Sequence, residues 1–239
     1  MLATPFDLRS LRDGVPYFVS EKYDGVRAAW DGERLLTRTG KTVPAPADFL
    51  ERLPKPPPGR MYDGEIFAGR GGFRRVSRIA RGKEPWDSSA VSYKIFDVVD
   101  ETERPFEKTF AIMRETVPRE FLAPQIRMTS ASAAVALFAR LVAAGAEGAM
   151  VRRGDVGYVP RRSTALMKLK AANEAEAVVV GGGSNKNFLE CRWKDSDENA
   201  STFRVRTAPP SAPAPGDVIV VRYTSLHPET GAPRRSIAI

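Results

Sequence analysis

The sequence predicts an α+β protein in which antiparallel sheets with helices precede a small β-barrel. In the first part of the chain, short segments of alternating polarity recur between turn residues. One segment, from about Ser132 to Ala144, has apolar residues at helical spacing and is followed by Gly145. Residues 172–239 are short β-branched segments separated by turn-rich stretches, which favours a barrel. We therefore expect two domains, residues 1–171 and 172–239.

The strands of the first domain are predicted from period-2 alternation between Gly, Pro, Asn and Asp turns. Asp31-Gly32 between two such segments indicates a tight hairpin. In the segment 91–99, Val91, Tyr93 and Ile95 alternate against Lys94, Phe96 and Val98. A short amphipathic piece is expected around Phe49, Leu50 and Leu53 inside a Pro-rich connection. The predicted strands are 17–19, 26–30, 34–38, 61–67, 91–99, 147–151 and 166–170.

The second domain has four strand candidates, at 175–180, 189–193, 202–205 and 218–223. Their number, shortness and turn-rich spacing suit a barrel of the oligonucleotide/oligosaccharide-binding (OB) kind.

Composition excludes several functional classes. With 239 residues, 42% hydrophobic and 28% charged, the chain is long enough for real cores and has an ordinary globular composition. No apolar run approaches the roughly 18 residues that a membrane span needs. One cysteine, Cys191, and one histidine, His227, do not suffice for an internal disulfide, a zinc cluster or a Ser-His or Cys-His nucleophile pair.

The net charge of +8 is unevenly distributed. Residues 172–239 contain eight basic and eight acidic residues, so the whole excess lies in residues 1–171. A basic surplus confined to one part of the chain fits a polyanionic partner, nucleic acid before membrane. A generally basic, soluble surface explains the charge equally well.

Lys22 is the first candidate for chemistry. It lies at a predicted strand end, next to Asp24, Gly25 and Arg27. A lysine amine is normally protonated and inert, so nucleophilic use requires desolvation or nearby positive charge, for which Arg27 is a candidate. A solvated lysine beside a tight turn remains the alternative, because this spacing alone does not exclude it.

Six motifs follow one another at or next to the predicted strands. They are Lys22-x-Asp24-Gly25-x-Arg27, Thr37-Arg38-Thr39-Gly40, Asp63-Gly64-Glu65, Lys94-Ile95-Phe96-Asp97, Glu147-Gly148-Ala149-Met150 and Lys168-Leu169-Lys170. This series resembles that of the covalent nucleotidyltransferases: DNA ligases, RNA ligases and mRNA capping enzymes. Ser20-Glu21-Lys22 and Gly69-Arg70-Gly71-Gly72-Phe73 most resemble the minimal bacterial ATP-dependent DNA ligases of the Lig E type. The resemblance implies an adenylation domain followed by an OB-fold domain.

The resemblance also implies roles for individual residues. Lys22 would attack the α-phosphate of ATP, and Arg27, Lys168 and Lys170 would supply positive charge. Asp24 would orient Lys22 or assist deprotonation of the 3′-hydroxyl, two roles that the sequence does not separate. Ser20 and Glu21 would contact adenine, Phe96 would stack on it, and Arg38 would contribute a further cation. Glu65 and Glu147 would hold Mg²⁺ or Mn²⁺, and Glu65 would also bind the ribose.

Two basic groups complete the expected site. Arg70, Arg74, Arg75, Arg78, Arg81 and Lys83 occupy a stretch without acidic residues, which favours sequence-independent contacts with DNA phosphates. A helical solvent face is the alternative. Arg234 and Arg235 follow a Gly-x-Pro segment and would orient pyrophosphate, although the chain ends four residues later, which departs from the family pattern.

The sequence therefore predicts a monomeric, ATP-dependent DNA ligase that acts on nicked duplex DNA, with repair nicks and cohesive ends both open as substrates. An RNA ligase or a capping-type guanylyltransferase shares the lysyl-nucleotide chemistry and remains an alternative. The second alternative is a non-catalytic nucleic-acid-binding protein with a decayed site. Without a leader at its start, the chain is expected in the cytoplasm, or in the periplasm if a leader was removed.

Overall fold

The computed structural model forms two compact units, Met1–Leu169 and Lys170–Ile239. It describes residues 1–6, 11–12, 14–99, 103–171, 173–182, 187–197, 200–207, 213–223, 225–226, 230, 232–234 and 236–238. His227 lies outside these residues. None of the helices in the described ranges has the length and apolar character that crossing a membrane requires.

Nine strands and four helices are found in the described residues of the first unit. Its strands are β1 (Leu2–Pro5), β2 (Tyr17–Glu21), β3 (Val26–Trp30), β4 (Leu35–Thr37), β5 (Met61–Phe67), β6 (Ser92–Val99), β7 (Gln125–Met128), β8 (Gly148–Arg153) and β9 (Arg162–Lys170, which extends one residue into the second unit). Its helices are α1 (Ala47–Glu51), α2 (Phe73–Ile79), α3 (Phe106–Thr116) and α4 (Ala131–Ala143). The sequence did not predict β1, β7, α2 or α3.

A four-stranded antiparallel sheet has the order β4-β3-β5-β6. One face buries Trp30, Ile66 and Tyr93 against residues of the first three helices. Gly64 leaves room for the ring of Tyr93, because a Cβ there would lie 2.5 Å from Tyr93 Cζ. Since side chains alternate across a strand, the residues between these apolar positions point to the opposite face.

A five-stranded sheet has the order β1-β9-β8-β2-β7. The pairing of β1 with β9 is parallel, so this sheet is mixed rather than antiparallel as predicted. Val19, Val151 and Met167 are buried on one face against Leu137 of α4. The N-terminus of α4 is capped by Ser130, whose side chain accepts a hydrogen bond of 3.3 Å from the Ala133 backbone N–H.

A β-bulge at Phe96 interrupts the pairing of β5 with β6. Asp63 lies opposite Asp97 and Gly64 opposite Ile95, so Phe96 has no opposite residue in the ladder. The bulge shifts the alternation by one residue. Val98 is therefore buried in the core with Ile95, and its predicted placement on the same face as Phe96 was wrong.

The second unit is a closed barrel of five strands in the order β10-β11-β12-β16-β13. Its interior holds Val179, Cys191, Val205 and Val221, all at most 1% exposed. This architecture confirms the predicted fold class, an α+β unit followed by a small barrel. The strands are β10 (Asn173–Gly182), β11 (Phe188–Trp193), β12 (Phe203–Arg206), β13 (Val218–Tyr223) and β16 (Ile237–Ala238), and β14 (Ser225–Leu226) pairs separately with β15 (Pro233–Arg234).

Candidate active site

The two sheets of the first unit face each other across a cavity, and each presents its polar face to it. On the five-stranded sheet, Ser20 pairs with Gln125 of one neighbouring strand and with Met150 of the other. These three residues form a row across the strands, and all of them line the cavity. The described residues that line the cavity are Met1, Ala3, Ser20, Glu21, Lys22, Tyr23, Arg27, Asp63, Glu65, Phe96, Asp97, Gln125, Met150, Arg152, Leu166 and Lys168. Most of the predicted nucleotide-binding residues thus converge on one cavity.

Lys22 follows the end of β2 and is fixed at both its backbone and its side chain. Its backbone N–H donates to the carbonyl of Gly148 at 2.9 Å. Its Nζ lies 2.5 Å from Oε2 of Glu147, and both side chains are about one-fifth exposed. The turn that follows needs glycine at position 25, since a Cβ there would lie 2.2 Å from the carbonyl oxygen of Ile66. The nearest charged partner of the amine is therefore a carboxylate.

The guanidinium group of Arg27 forms its hydrogen bonds with groups other than Lys22. Its Nε donates to Oδ1 of Asp63 at 2.8 Å, and its Nη2 contacts Oδ2 of the same carboxylate. Tyr158, which the sequence analysis missed, donates its hydroxyl to Oδ2 of Asp63 at 2.9 Å. Burial acts to lower the pKa of Arg27, but the hydrogen bonds and charge of Asp63 outweigh it and raise the pKa. Arg27, the candidate for positive charge near Lys22, therefore lines the same cavity but is paired with Asp63.

Glu65 lies two residues beyond Asp63 on the same face of β5 and opposite Arg27 on β3. Burial raises its pKa to about 8, although Lys22 and Arg27 act in the opposite direction. Burial therefore favours the protonated form of Glu65. Asp63 and Glu147 also raise this pKa, so the acidic groups of the cavity affect one another.

Phe96 projects into the cavity because of the bulge in β6. Its carbonyl oxygen accepts a hydrogen bond of 2.9 Å from Nε2 of Gln125, which joins β6 to β7 of the other sheet. The guanidinium carbon of Arg27 lies 5.6 Å from the centre of the Phe96 ring. A half-buried aromatic ring that lines a cavity between two sheets is suited to stacking on a planar ring.

The cavity also contains a buried ion pair that the sequence did not predict. Arg152 and Asp97 are 3% and 6% exposed, and Nε of Arg152 donates to Oδ2 of Asp97 at 3.4 Å. Burial raises the pKa of Asp97 to about 6, against the influence of Arg152. Arg152 also donates to the carbonyl of Gly157 at 2.9 Å, and its guanidinium carbon lies 4.8 Å from the ring centre of Phe106.

Glu21 and Arg70 form a two-point ion pair. Nε and Nη2 of Arg70 each lie 2.9 Å from a carboxylate oxygen of Glu21. Arg70, which was grouped with the expected DNA contacts, is thus paired with a residue that lines the cavity. Tyr23, two residues after Glu21, packs edge to face on Phe67, and burial raises its pKa to about 12.

The remaining predicted cations and Asp24 have different positions. Lys168 lines the cavity from β9, whereas Lys170 ends that strand as the first residue of the second unit and does not line it. Arg38 is exposed in the turn after β4 and lines a neighbouring groove that shares Arg27 and Asp63 with the cavity. Asp24 is half-buried in the turn between β2 and β3 and does not line the cavity.

The predicted DNA-binding segment includes α2. Acidic residues beyond the segment fold back onto it, because Arg75 pairs with Asp87 at 3.0 Å and Arg78 with Glu84 at 2.5 Å. Arg81 donates to the Ser77 carbonyl at 2.8 Å, and Arg74 and Lys83 are exposed. Arg74, Arg75 and Arg78 line a surface groove together with Gly71 and Glu84.

The residues expected to orient pyrophosphate and the residues expected to hold a metal are considered last. Arg235 lies outside the described residues, and of Arg234 only the backbone, in β15, is described. In the described ranges no group of three or more His, Cys, Asp or Glu side chains is placed to hold a metal ion. Mg²⁺ does not need such a group, since it commonly uses one or two carboxylates together with substrate phosphates. Glu147, which pairs with Lys22, and Glu65, whose pKa the charges of Lys22 and Glu147 affect, are two carboxylates that fit that requirement.

Comparison with known proteins reveals extensive similarity. Residues 1–170 match the family model described as the ATP dependent DNA ligase domain. A DNA ligase of Haemophilus influenzae is 29% identical over 233 residues, covering 91% of this chain and 84% of that protein. A DNA ligase of Archaeoglobus fulgidus is 28% identical over 204 residues, covering 76% of this chain but 37% of that longer protein.

Solved structures show the same similarity. A structure from a study of Lig E DNA ligases matches with a TM-score of 0.77 and 26% identity, covering 100% of this chain and 96% of that one. The Chlorella virus DNA ligase-adenylate matches with a TM-score of 0.59 and 18% identity, which is a likeness of fold.

Proposed function

The chain belongs to the family of ATP-dependent DNA ligases, and on this premise we propose that it seals nicks in duplex DNA through AMP carried on Lys22. The observation that supports the proposal most directly is the position of the Lys22 amine, which faces a cavity between two sheets and is held 2.5 Å from Glu147. No observation favours the RNA ligase, guanylyltransferase or non-catalytic alternatives over this one.

In the first step the Lys22 nitrogen attacks the α-phosphorus of ATP. A nitrogen–phosphorus bond forms, the bond from that phosphorus to the bridging oxygen breaks, and pyrophosphate leaves. The amine must give up its protons in this step. Glu147 is the nearest carboxylate and is proposed both to orient the amine and to accept a proton from it.

Lys168 is proposed as a cation for the α-phosphate, because it lines the same cavity as Lys22. Arg27 and Arg152 also line the cavity, where they pair with Asp63 and Asp97 respectively. A lysine beside the reacting phosphate stabilises the negative charge of the transition state. Lys170 and Arg38, outside the cavity, would act on other parts of the substrate.

The rest of the nucleotide is proposed to bind in the cavity between the two sheets. Phe96 would stack on adenine, and Ser20 with its neighbour Gln125 would face the edge of the base. Glu65 would accept hydrogen bonds from the ribose hydroxyls. Mg²⁺ held by Glu65 and Glu147 would supply positive charge at the phosphates; because burial raises the pKa of Glu65 to about 8, binding the ion would require this carboxyl to release its proton.

The second and third steps use DNA. The 5′-phosphate of the nick attacks the AMP phosphorus, the bond to Lys22 breaks, and adenylated DNA forms. The 3′-hydroxyl then attacks the 5′-phosphate, and AMP leaves. Asp24 is proposed to assist one of these steps from the turn beside Lys22. Positively charged residues of α2 and the following turn are proposed to bind the phosphate backbone of the duplex.

Intact-mass analysis after incubation with ATP and Mg²⁺ tests the proposal. The wild-type chain should gain the mass of one AMP, and Lys22→Ala should gain none. Absence of an adduct on the wild type would refute the covalent mechanism.

Nucleotide and substrate choice are tested separately. Adduct formation with ATP and not GTP, followed by sealing of nicked DNA in preference to nicked RNA, is expected. Labelling by GTP alone would instead support a guanylyltransferase.

A further inference from the structure

Arg70 connects two chain segments that flank the proposed nucleophile. Its Nε and Nη2 hold the carboxylate of Glu21, which directly precedes Lys22. Its Nη1 donates to the carbonyl oxygen of Ala144. Ala144 is the C-cap residue of α4 and lies three residues before the Glu147 that holds the Lys22 amine. The guanidinium group of Arg70 thus contacts both of the chain segments that lead to the Lys22–Glu147 pair.

The three contacts depend on the shape of a guanidinium group. An arginine fork places two parallel N–H groups on a carboxylate and leaves another nitrogen for a third acceptor, which a lysine ammonium does not reproduce. The Arg70 side chain is 42% exposed and that of Glu21 18%. Exposed ion pairs contribute little to folding stability. The geometry that Arg70 imposes is therefore more consequential than any stability it adds.

We propose that Arg70 is a positioning residue for self-adenylation, which holds Glu21, and with it Lys22, in register with the turn that leads to Glu147. The inference rests on the proposed function and assigns Arg70 to the step that uses no DNA. The sequence had grouped Arg70 with DNA contacts. Because attack on phosphorus requires a narrow range of geometries, a displacement of about 1 Å in the nucleophile can cost about 10²-fold in rate.

The test is single-turnover self-adenylation without DNA, at several ATP concentrations, for Arg70→Ala, Arg70→Lys and Glu21→Gln. Arg114→Ala, an exposed arginine on α3, is the matched control. We expect Arg70→Ala to be slower by about tenfold or more at saturating ATP. The ATP concentration for half-maximal rate should change by less than about twofold, because the contact is not made to ATP. Arg70→Lys should also be slow, and Arg114→Ala should match the wild type.

A double variant distinguishes positioning from a general structural role. If Glu21 and Arg70 act through one interaction, Glu21→Gln combined with Arg70→Ala should be no slower than Arg70→Ala alone. Multiplying effects would overturn the inference. Wild-type adenylation rates in Arg70→Lys and Glu21→Gln would also overturn the inference. Because these two variants retain polar side chains, they provide the test if Arg70→Ala fails to fold. Absence of an adduct on the wild type would instead refute the proposed function itself.

Discussion

Nζ of Lys22 lies 2.5 Å from Oε2 of Glu147, although 125 residues separate them in the chain. The contact forms because β2 and β8 are antiparallel neighbours, with Glu21 opposite Ala149. Glu147, which the sequence analysis assigned to a metal, is thus also the direct partner of the proposed nucleophile. A role in metal binding and a direct role beside the Lys22 amine predict different effects of replacing Glu147.

Glu147→Gln is expected to slow self-adenylation by about 10²-fold, because the amine loses its proton acceptor and its orienting partner. The measurement is the single-turnover rate of AMP adduct formation at saturating ATP and Mg²⁺. If Glu147 acted only by holding the ion, a higher Mg²⁺ concentration would restore the rate. An unrestored rate supports the direct role.

Glu65→Gln is expected to change how stability depends on pH. The pKa of Glu65 is about 8 in the folded protein and 4.5 ordinarily, so between these values the unfolded chain has released a proton that the folded protein keeps. Stability from this group is therefore lost as pH rises from about 4.5 to about 8. Glutamine has no such proton, and the variant should gain stability relative to the wild type across that window.

Urea unfolding at a series of pH values provides the measurement. Glu115→Gln, an exposed glutamate at the end of α3, serves as the control and should leave the pH profile unchanged. A difference between Glu65→Gln and the wild type that stays constant from pH 5 to 8 would contradict the raised pKa.

Phe96→Ala is expected to weaken ATP binding, because base–aromatic stacking contributes about 1–3 kcal/mol and its loss raises the half-saturating ATP concentration by about tenfold. Tyr93→Phe is a control on the opposite face of β6. The Tyr93 hydroxyl donates to the Ala28 carbonyl at 2.9 Å in the core, so its removal should lower stability and leave ATP use unchanged. Equal ATP requirements for wild type and Phe96→Ala would exclude stacking.

Replacement of Arg74, Arg75 and Arg78 by Ala is expected to weaken nick binding and to flatten its salt dependence. Each lost phosphate contact should reduce the slope of log affinity against log salt by about 0.9. Self-adenylation should fall by far less than nick binding. Glu84→Gln should have the opposite effect and strengthen binding, since it frees Arg78 from its partner. Weaker binding by Glu84→Gln would argue against a phosphate contact at Arg78.

Arg152→Met is expected to destabilise the first unit by about 3–5 kcal/mol, because it leaves the buried Asp97 without its charged partner. Adding Asp97→Asn should recover part of the loss, since the amide needs no counter-charge. Chemical denaturation of Arg152→Met, of Asp97→Asn and of the double variant measures both effects. Additive losses in the double variant would show that the two residues do not act as a pair.

The sequence was sufficient to predict those strands and site residues that follow from local patterns and motifs. The strand from Met61 to Phe67 was predicted with its observed bounds, because alternation and flanking turns are local properties. The order of the six motifs predicted which segments would meet, and Ser20, Lys22, Arg27, Glu65, Phe96 and Lys168 do line one cavity. Helix α3 was missed because its short amphipathic pattern lacks a side-chain N-cap and is flanked by Pro105.

The partners of the charged residues were not predictable in the same way. Nothing in local spacing shows that Asp63 neutralises Arg27, that Arg152 enters the cavity, or that Glu21 holds Arg70. A signal for Arg152 was present, however, since arginine at a strand position otherwise buried requires a partner. The bulge that turns Phe96 toward the cavity was not predictable either. Only the pairing with the neighbouring strand shows which residue has no opposite residue in the ladder.

The sequence by itself determined the fold class, the ligase family and the lysine proposed to carry AMP, because ordered motifs and side-chain periodicity are properties of a single chain. The tertiary structure decided which carboxylate pairs with which cation. Electrostatic roles depend on distances of a few ångströms between residues far apart in the chain, and pairing between strands sets those distances. Lys22 could therefore be identified from the sequence, whereas its contact with Glu147 and the bridging position of Arg70 could not.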